Sequence, residues 1–204
     1  MKFHELAPSP NNTKIRMALR FKGIDFESIP VNPFDRESLL KLSGQDGSPV
    51  IEHQGMILPD SEAILHYLDA NFPDAPRLYP RLLADRRNCD RWKAELDRRV
   101  ALPWTDIFLY SIKRKSELDP ATVESFLKGL AWLEETLGDA DTFHGEDRPI
   151  CDLRVAQWTT YALPGEGFLK RVRIISRFAR LVKLTDEDFP RLRTFLAPWN
   201  ARLA

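Results

Sequence analysis

Gly47-Ser48-Pro49-Val50-Ile51-Glu52-His53-Gln54-Gly55-Met56-Ile57-Leu58-Pro59-Asp60-Ser61-Glu62-Ala63 holds the strongest structural signals in the chain. Two short apolar strands, Val50 to Ile51 and Met56 to Leu58, are joined by a turn containing Gly55, and Pro59 stops the second. Pro49 opens the first strand, where a proline removes no ladder hydrogen bond. Asp60 and Ser61 are residue types that cap a helix, and Ile64, Leu65 and Leu68 supply its apolar face. The stretch therefore predicts a hairpin that delivers an Asp-Ser pair to a helix N-terminus. The unpaired N–H groups and partial positive charge there suit a carboxylate ligand.

Upstream, Phe3 to Leu6 reads as a strand and 7–12 as a loop rich in proline and asparagine. Ile15, Ala18, Leu19 and Phe21 form a helical stripe, with Ser9 as N-cap, Pro10 at the first helical position and Gly23 just past the end. A serine hydroxyl is thus expected at the top of a strand, on the positive end of a helix. Such a hydroxyl, backed by a helix N-terminus, favours the charged form of an acid to which it donates a hydrogen bond. Asp25 to Val31 is a second strand, and Leu39, Leu40 and Leu42 suggest a short helix over 34–42. The order is strand, helix, strand, helix, hairpin, helix, an α/β layer pattern.

Prolines at 73, 76 and 80 mark 73–83 as a linker. Beyond it, over 84–204, strand signals disappear and an all-α domain is expected. A long helical region over 84–113 is kinked or divided by Pro103. Asp119 and Pro120 start a clear helix that Gly138 stops. Further helices are expected over 150–162, over 168–184 and from about Asp188 onward.

Ser9-Pro10-Asn11-Asn12-Thr13-Lys14-Ile15-Arg16-Met17-Ala18-Leu19, together with Ser48-Pro49-Val50-Ile51 and Asp60-Ser61-Glu62-Ala63-Ile64-Leu65, resembles the cytosolic glutathione transferase superfamily. The resemblance implies a thioredoxin-like N-terminal domain over 1–72 and a helical substrate-binding domain over 84–204. It implies that Ser9 activates the sulfur of glutathione and that Pro49 is cis. Ser48 would pair through its backbone with the cysteinyl part, and Asp60 and Ser61 would hold the γ-glutamyl end. A branch with disulfide reductase activity contacts the sulfur through an asparagine, which falls on Asn11. Two departures stand out. Gly47 replaces the Lys or Gln that reaches the glycine carboxylate, leaving Gln45, Lys41 or Arg36 as substitutes. Pro149 replaces the hydroxyl of a capping box that ends at Asp152. Phe189-Pro190-Arg191-Leu192 is similar to the family's closing Tyr-Pro-x-Leu.

Thirty basic residues balance thirty acidic ones among 204, which leaves no global field to attract nucleic acid or an anionic membrane. A local patch at Lys170, Arg171, Arg173, Arg177 and Arg180 reads as a solvated helix face. No run approaches the roughly twenty apolar residues that span a bilayer, so a soluble cytoplasmic protein is expected. Cys89 and Cys151 are distant in sequence and form no Cys-x-x-Cys pair, and the four histidines show no metal spacing. Most tryptophans read as core, whereas Trp104, Phe108 and Tyr110 near the Pro103 kink are candidates for lining an apolar substrate pocket, with plain packing as the alternative. The expected function is conjugation of glutathione, as co-substrate, to a small hydrophobic electrophile by a homodimer engaged in detoxification. Glutathione-dependent disulfide or peroxide reduction, and a non-catalytic binding module of the same fold, are the alternatives.

Overall fold

The computed structural model describes residues 1–6, 8–146, 148–165 and 173–203. They form two compact units, Met1–Tyr79 and Pro80–Ala204. In the first, strands β1 (Lys2–Glu5), β2 (Glu27–Pro30), β3 (Val50–His53) and β4 (Met56–Leu58) make one sheet in the order β2-β1-β3-β4. The β1/β2 pair is parallel, with α1 (Pro10–Phe21) as crossover, and the other two pairs are antiparallel. Helices α2 (Glu37–Ser43) and α3 (Ser61–Asn71) complete the unit. Phe3, Ile15, Leu19, Val50, Ile51, Ile64, Leu65 and Leu68 are fully buried, so the stripes on β1, β3, α1 and α3 build one core.

Register brings three loop segments to one end of the sheet. His4 pairs with Val50 and Ile51 with Leu58. The C-terminal ends of β1 and β4 therefore lie beside the N-terminal end of β3, and the segments leading to Ser9, Ser48 and Asp60 all emerge there.

Lys22 and Asp69 anchor the end of this unit. The Lys22 side chain is fully buried, and its Nζ donates to Asp69 Oδ1 at 2.9 Å and to the Pro76 carbonyl at 2.8 Å. The Asp69 carboxylate also accepts from the Leu78 and Tyr79 backbone N–H groups, each at 2.8–3.1 Å. Residues 76–79 are thereby fastened to α1 and α3.

The second unit is helical: α4 (Leu83–Leu96), α5 (Leu102–Ser111), α6 (Pro120–Leu137), α7 (Pro149–Thr159), α8 (Arg173–Val182) and α9 (Pro190–Ala201). The expected division near Pro103 takes the form of a π-turn over Asp97–Ala101 between α4 and α5. Proline lacks the N–H that would continue the ladder, and the wider turn absorbs that loss. Gly129 of α6 packs against this turn, where a Cβ would lie 2.3 Å from the Arg99 carbonyl oxygen. Asp119 caps α6 through Ala121 N at 2.9 Å, and Gly138 ends it with φ +55°. The N-terminus of α9 is capped from α6: Glu134 accepts from Arg191 N and Leu192 N at 2.9 and 2.8 Å. Lys170, Arg171, the side chain of Arg173 and the start of the helix expected from Phe168 lie outside the described residues. Arg177 sits over the Tyr110 ring, 5.2 Å from its centroid. No helix among the described residues is long and apolar enough to cross a membrane.

The capping box at α7 differs from its sequence reading. Arg148, not residue 149, holds the N-cap position, and Pro149 is the first helical residue, where its missing N–H is harmless. Asp152 reaches back to accept from Phe143 N at 2.9 Å and so fixes the preceding loop. Burial raises its pKa to about 7, while the Phe143 N–H opposes that rise. The folded chain therefore holds a proton on Asp152 that the unfolded chain, titrating near 3.8, has lost. The stabilisation present below the unfolded pKa is lost as pH rises through about 7, on the order of 4 kcal/mol for this carboxyl. Thermal melts of the wild type should fall in midpoint between pH 5 and pH 8. Asp152→Asn, which keeps the acceptor and carries no charge, should flatten that fall; equal slopes for both proteins would contradict the assignment.

Candidate functional site

Ser9 lies where α1 begins, with extended backbone at φ −89°, ψ 130°, and Pro10 follows at the first helical position. Its N–H bonds the Leu6 carbonyl at 2.9 Å, and its carbonyl accepts from Thr13 N at 2.9 Å. The hydroxyl makes no capping bond. This refines the sequence reading, because the backbone holds the N-cap position while the side chain is not spent on the helix. The turn is secured instead by Asn12, whose Oδ1 accepts from Leu6 N at 3.2 Å.

Asn12 also donates from Nδ2 to Ser48 Oγ at 3.0 Å. That bond joins the β1–α1 turn to the segment before β3, where the Ser48–Pro49 peptide is cis, as the resemblance implied. Pro49 is buried and Ser48 half-buried. One step along, Gln45 Nε2 donates to the carbonyls of Gly47 and Pro59 at 3.3 and 2.6 Å, tying this loop to the residue before Asp60. Asp60 caps α3, accepting from Ala63 N at 2.8 Å, and is itself exposed; Ser61 is buried at the first position. Lys14 on α1 bonds Glu62 on the first turn of α3 at 2.7 Å, and Tyr79 donates to the other oxygen of Glu62 at 3.0 Å. A continuous run of bonds thus connects the two helix N-termini and the cis-proline loop at one end of the sheet.

Each candidate substitute for the Lys or Gln missing at Gly47 has other partners. The Gln45 amide holds two carbonyls, Arg36 donates to the Asp46 carbonyl at 3.0 Å, and Lys41 pairs with Glu37 at 2.8 Å on an exposed face. A Cβ on Gly47 would meet only the Gln45 side chain, at 3.7 Å, so the backbone has room for a side chain there. Asn11 is exposed on the first turn of α1.

Both of the chain's thiols are withdrawn from solvent. Cys89 and Cys151, remote in sequence, meet between α4 and α7, both buried. Burial and the hydrogen-bonded Cys89 thiol push the pKa of Cys151 far up. Among the described residues no three His, Cys, Asp or Glu side chains gather as metal ligands.

In the helical unit Trp104 is 1% exposed and packs on Phe108, Trp158, Tyr161 and Phe178 with ring centroids 4.7–5.7 Å apart. It is the hub of an aromatic core, so the packing alternative holds for this residue. Phe108 and Tyr110 remain half-buried. Sequence reasoning missed Asn12, Lys14 and Glu62 as members of the site. The signal for Asn12 was available, because it stands three residues before Ile15 and seven before Leu19, a polar residue on the apolar stripe of α1.

The geometry defines a thioredoxin-like domain with a cis-proline loop facing two helix N-termini, followed by a helical bundle. Residues 3–76 match the sequence profile of the glutathione S-transferase N-terminal domain. Among curated proteins, the chain is 26% identical over 156 residues to glutathione S-transferase U22 of Arabidopsis thaliana, covering 76% of this chain and 70% of that protein. It is 29% identical over 164 residues to the maleylacetoacetate isomerase of Pseudomonas aeruginosa, covering 73% and 74%. Among solved structures, the Tau class glutathione S-transferase of mango, Mangifera indica, superposes with TM-score 0.73 at 22% identity, over 98% of this chain and 88% of that one. A rice glutathione transferase solved with glutathione superposes with TM-score 0.71 at 23% identity, over 99% and 85%. Residues 3–76 thus carry the sequence pattern of a glutathione S-transferase N-terminal domain, and the chain as a whole shares the fold of solved glutathione transferases.

Proposed function

We propose that this chain is a glutathione transferase in which Ser9 activates the glutathione sulfur for attack on a small hydrophobic electrophile. The observation that carries the reading is the Ser9 hydroxyl, unspent on capping, at the N-terminus of α1 and at the end of the sheet shared with Ser48, Pro49 and the α3 N-terminus. In this reading the Ser48 backbone pairs with the cysteinyl part of glutathione beside cis-Pro49. Asp60 and Ser61 take the γ-glutamyl end, where the α3 dipole and free N–H groups receive its carboxylate and the Asp60 carboxylate its ammonium. Ser9 donates to the sulfur, the helix dipole adds to the same preference, and the thiolate becomes the populated form. The protein supplies position and pKa adjustment, and the co-substrate supplies the nucleophile. The glycine end has no side chain at Gly47 to meet its carboxylate, which predicts weak glutathione affinity rather than loss of chemistry. A cytoplasmic homodimer belongs to the same proposal, by analogy with the superfamily.

A second reading, disulfide or peroxide reduction, draws on exposed Asn11 two residues beyond Ser9. Product analysis separates the two. Conjugation of glutathione to an aryl halide supports the first, whereas reduction of a glutathione mixed disulfide without any conjugate supports the second. Neither activity, with glutathione still unbound, would point to a non-catalytic module.

A further inference from the structure

We propose that Asn12 is a positioning residue that locks the Ser9 turn to the Ser48 loop and so sets the alignment of the activating hydroxyl with the bound sulfur. The inference rests on the reading of the site as glutathione-activating, and extends it to a residue that touches neither ligand nor reacting atom in that reading.

Two segments far apart in sequence must act on one sulfur. Ser9 provides the hydroxyl, and the Ser48 backbone holds the cysteinyl group whose sulfur it meets. Both are short irregular segments, and neither is paired in the sheet. A displacement of about 1 Å between them would lengthen a charge-assisted hydrogen bond out of its useful range. Asn12 joins them directly. It is 2% exposed, so its amide is shielded from water, and each end of the amide is used: Oδ1 takes Leu6 N on the Ser9 side at 3.2 Å, and Nδ2 gives to Ser48 Oγ at 3.0 Å. A buried amide with both ends satisfied is fixed in orientation, because swinging away would leave donors and acceptors unpaired at substantial cost. The helix itself does not need this residue type, since Asn in a helix interior is a weaker former than the apolar residues sharing its stripe. Placing a two-ended polar group on that stripe trades apolar burial for a fixed distance between two loops.

The γ-glutamyl contacts are elsewhere, and the Ser48 contact to the cysteinyl part is made by its backbone, not by the hydroxyl that Asn12 binds. Asp60 and Ser61 sit on α3, and the Gln45 bond to the Pro59 carbonyl supports that side independently of Asn12. Loss of the Asn12–Ser48 bond therefore acts on alignment more than on affinity. The expected signature is a raised pKa of the bound thiol and a lowered kcat, with glutathione affinity nearly unchanged.

The test uses Ser48→Ala, which removes the bond and leaves Asn12 and its Leu6 link in place, and Ser48→Thr, which restores a hydroxyl. Asn12→Ala and the double variant complete a cycle. Glutathione affinity is read by calorimetry and the thiol pKa by ultraviolet titration of the bound thiolate. Ser48→Ala should raise the thiol pKa by about one unit, a roughly tenfold loss of thiolate at pH below it, with affinity changed less than about threefold. Ser48→Thr should return the pKa toward wild type, and the double variant should add little to either single change. A lowered thiol pKa in the wild type that persists unchanged in Ser48→Ala and Asn12→Ala would overturn the clamp while leaving Ser9 activation standing. A wild type that leaves the thiol at its free-solution pKa would overturn the site reading and the clamp with it.

Discussion

Replacing Ser9 by alanine should lower kcat/KM at neutral pH by roughly 10- to 100-fold, the loss expected when a hydrogen bond to a charged group worth about 1.5–3 kcal/mol is removed. The sign follows from the chemistry. A donor to the sulfur stabilises its charged form, so the wild-type site lowers the thiol pKa, and removing the donor raises it. The rate should climb with pH as thiolate forms, with an apparent pKa below the ordinary thiol range of about 8.5 in the wild type and moved toward it in Ser9→Ala. Glutathione affinity should change little, because the γ-glutamyl contacts lie on α3. The variant should fold normally, since the Ser9 hydroxyl makes no capping bond and Asn12 holds the turn. Superimposable pH–rate profiles would remove Ser9 from the mechanism. Alternatives that use Asn11 instead predict the opposite sensitivity, with Asn11→Ala impaired and Ser9→Ala active.

The second large effect concerns stability. Asp69→Ala should destabilise the first unit by about 3–5 kcal/mol, because it strands the fully buried ammonium of Lys22 and orphans the backbone N–H groups of Leu78 and Tyr79. That is a large share of the roughly 5–15 kcal/mol that stabilises a typical domain. A paired replacement, Lys22→Met with Asp69→Leu, should recover the part due to the stranded charge while leaving the two N–H groups unsatisfied. All five tryptophans lie between residues 92 and 199, so tryptophan fluorescence reports the helical unit. Hydrogen exchange over residues 1–79 is the direct readout for this variant. Faster exchange there in Asp69→Ala is expected; protection equal to wild type would show that the buried pair contributes nothing.

Most of the framework was legible because it rests on local rules. The hairpin was readable from Gly55 and the flanking apolar runs, and α6 from Asp119, Pro120 and Gly138, where cap, first position and stop agree with the apolar spacing. The break near Pro103 was legible as a break, but its form, a π-turn accommodated by Gly129, depends on how closely α6 approaches the Arg99 carbonyl. What escaped the sequence is what depends on partners distant along the chain. The closeness of Cys89 and Cys151, the capping of α9 by Glu134 and the fastening of residues 76–79 by Asp69 are all products of packing between elements. Pro149 misled for a simpler reason: the helix begins one residue earlier than the box pattern requires, so the expected cap position is already helical. At the site, Ser9, Ser48, Pro49, Asp60 and Ser61 could be named from residue type and order. Asn12 could not be given its role that way, because a bond to Ser48 across thirty-six positions has no local signature.

Every role proposed for Ser9, Ser48, Asp60 and Ser61 requires that this end of the sheet hold glutathione. Calorimetric titration of the purified chain with glutathione, repeated on Asp60→Ala and Ser61→Ala, tests this most directly. Saturable binding by the wild type, weakened in both variants through lost γ-glutamyl contacts, is the expected result. Absence of binding at millimolar glutathione, or binding that both variants leave untouched, would contradict it.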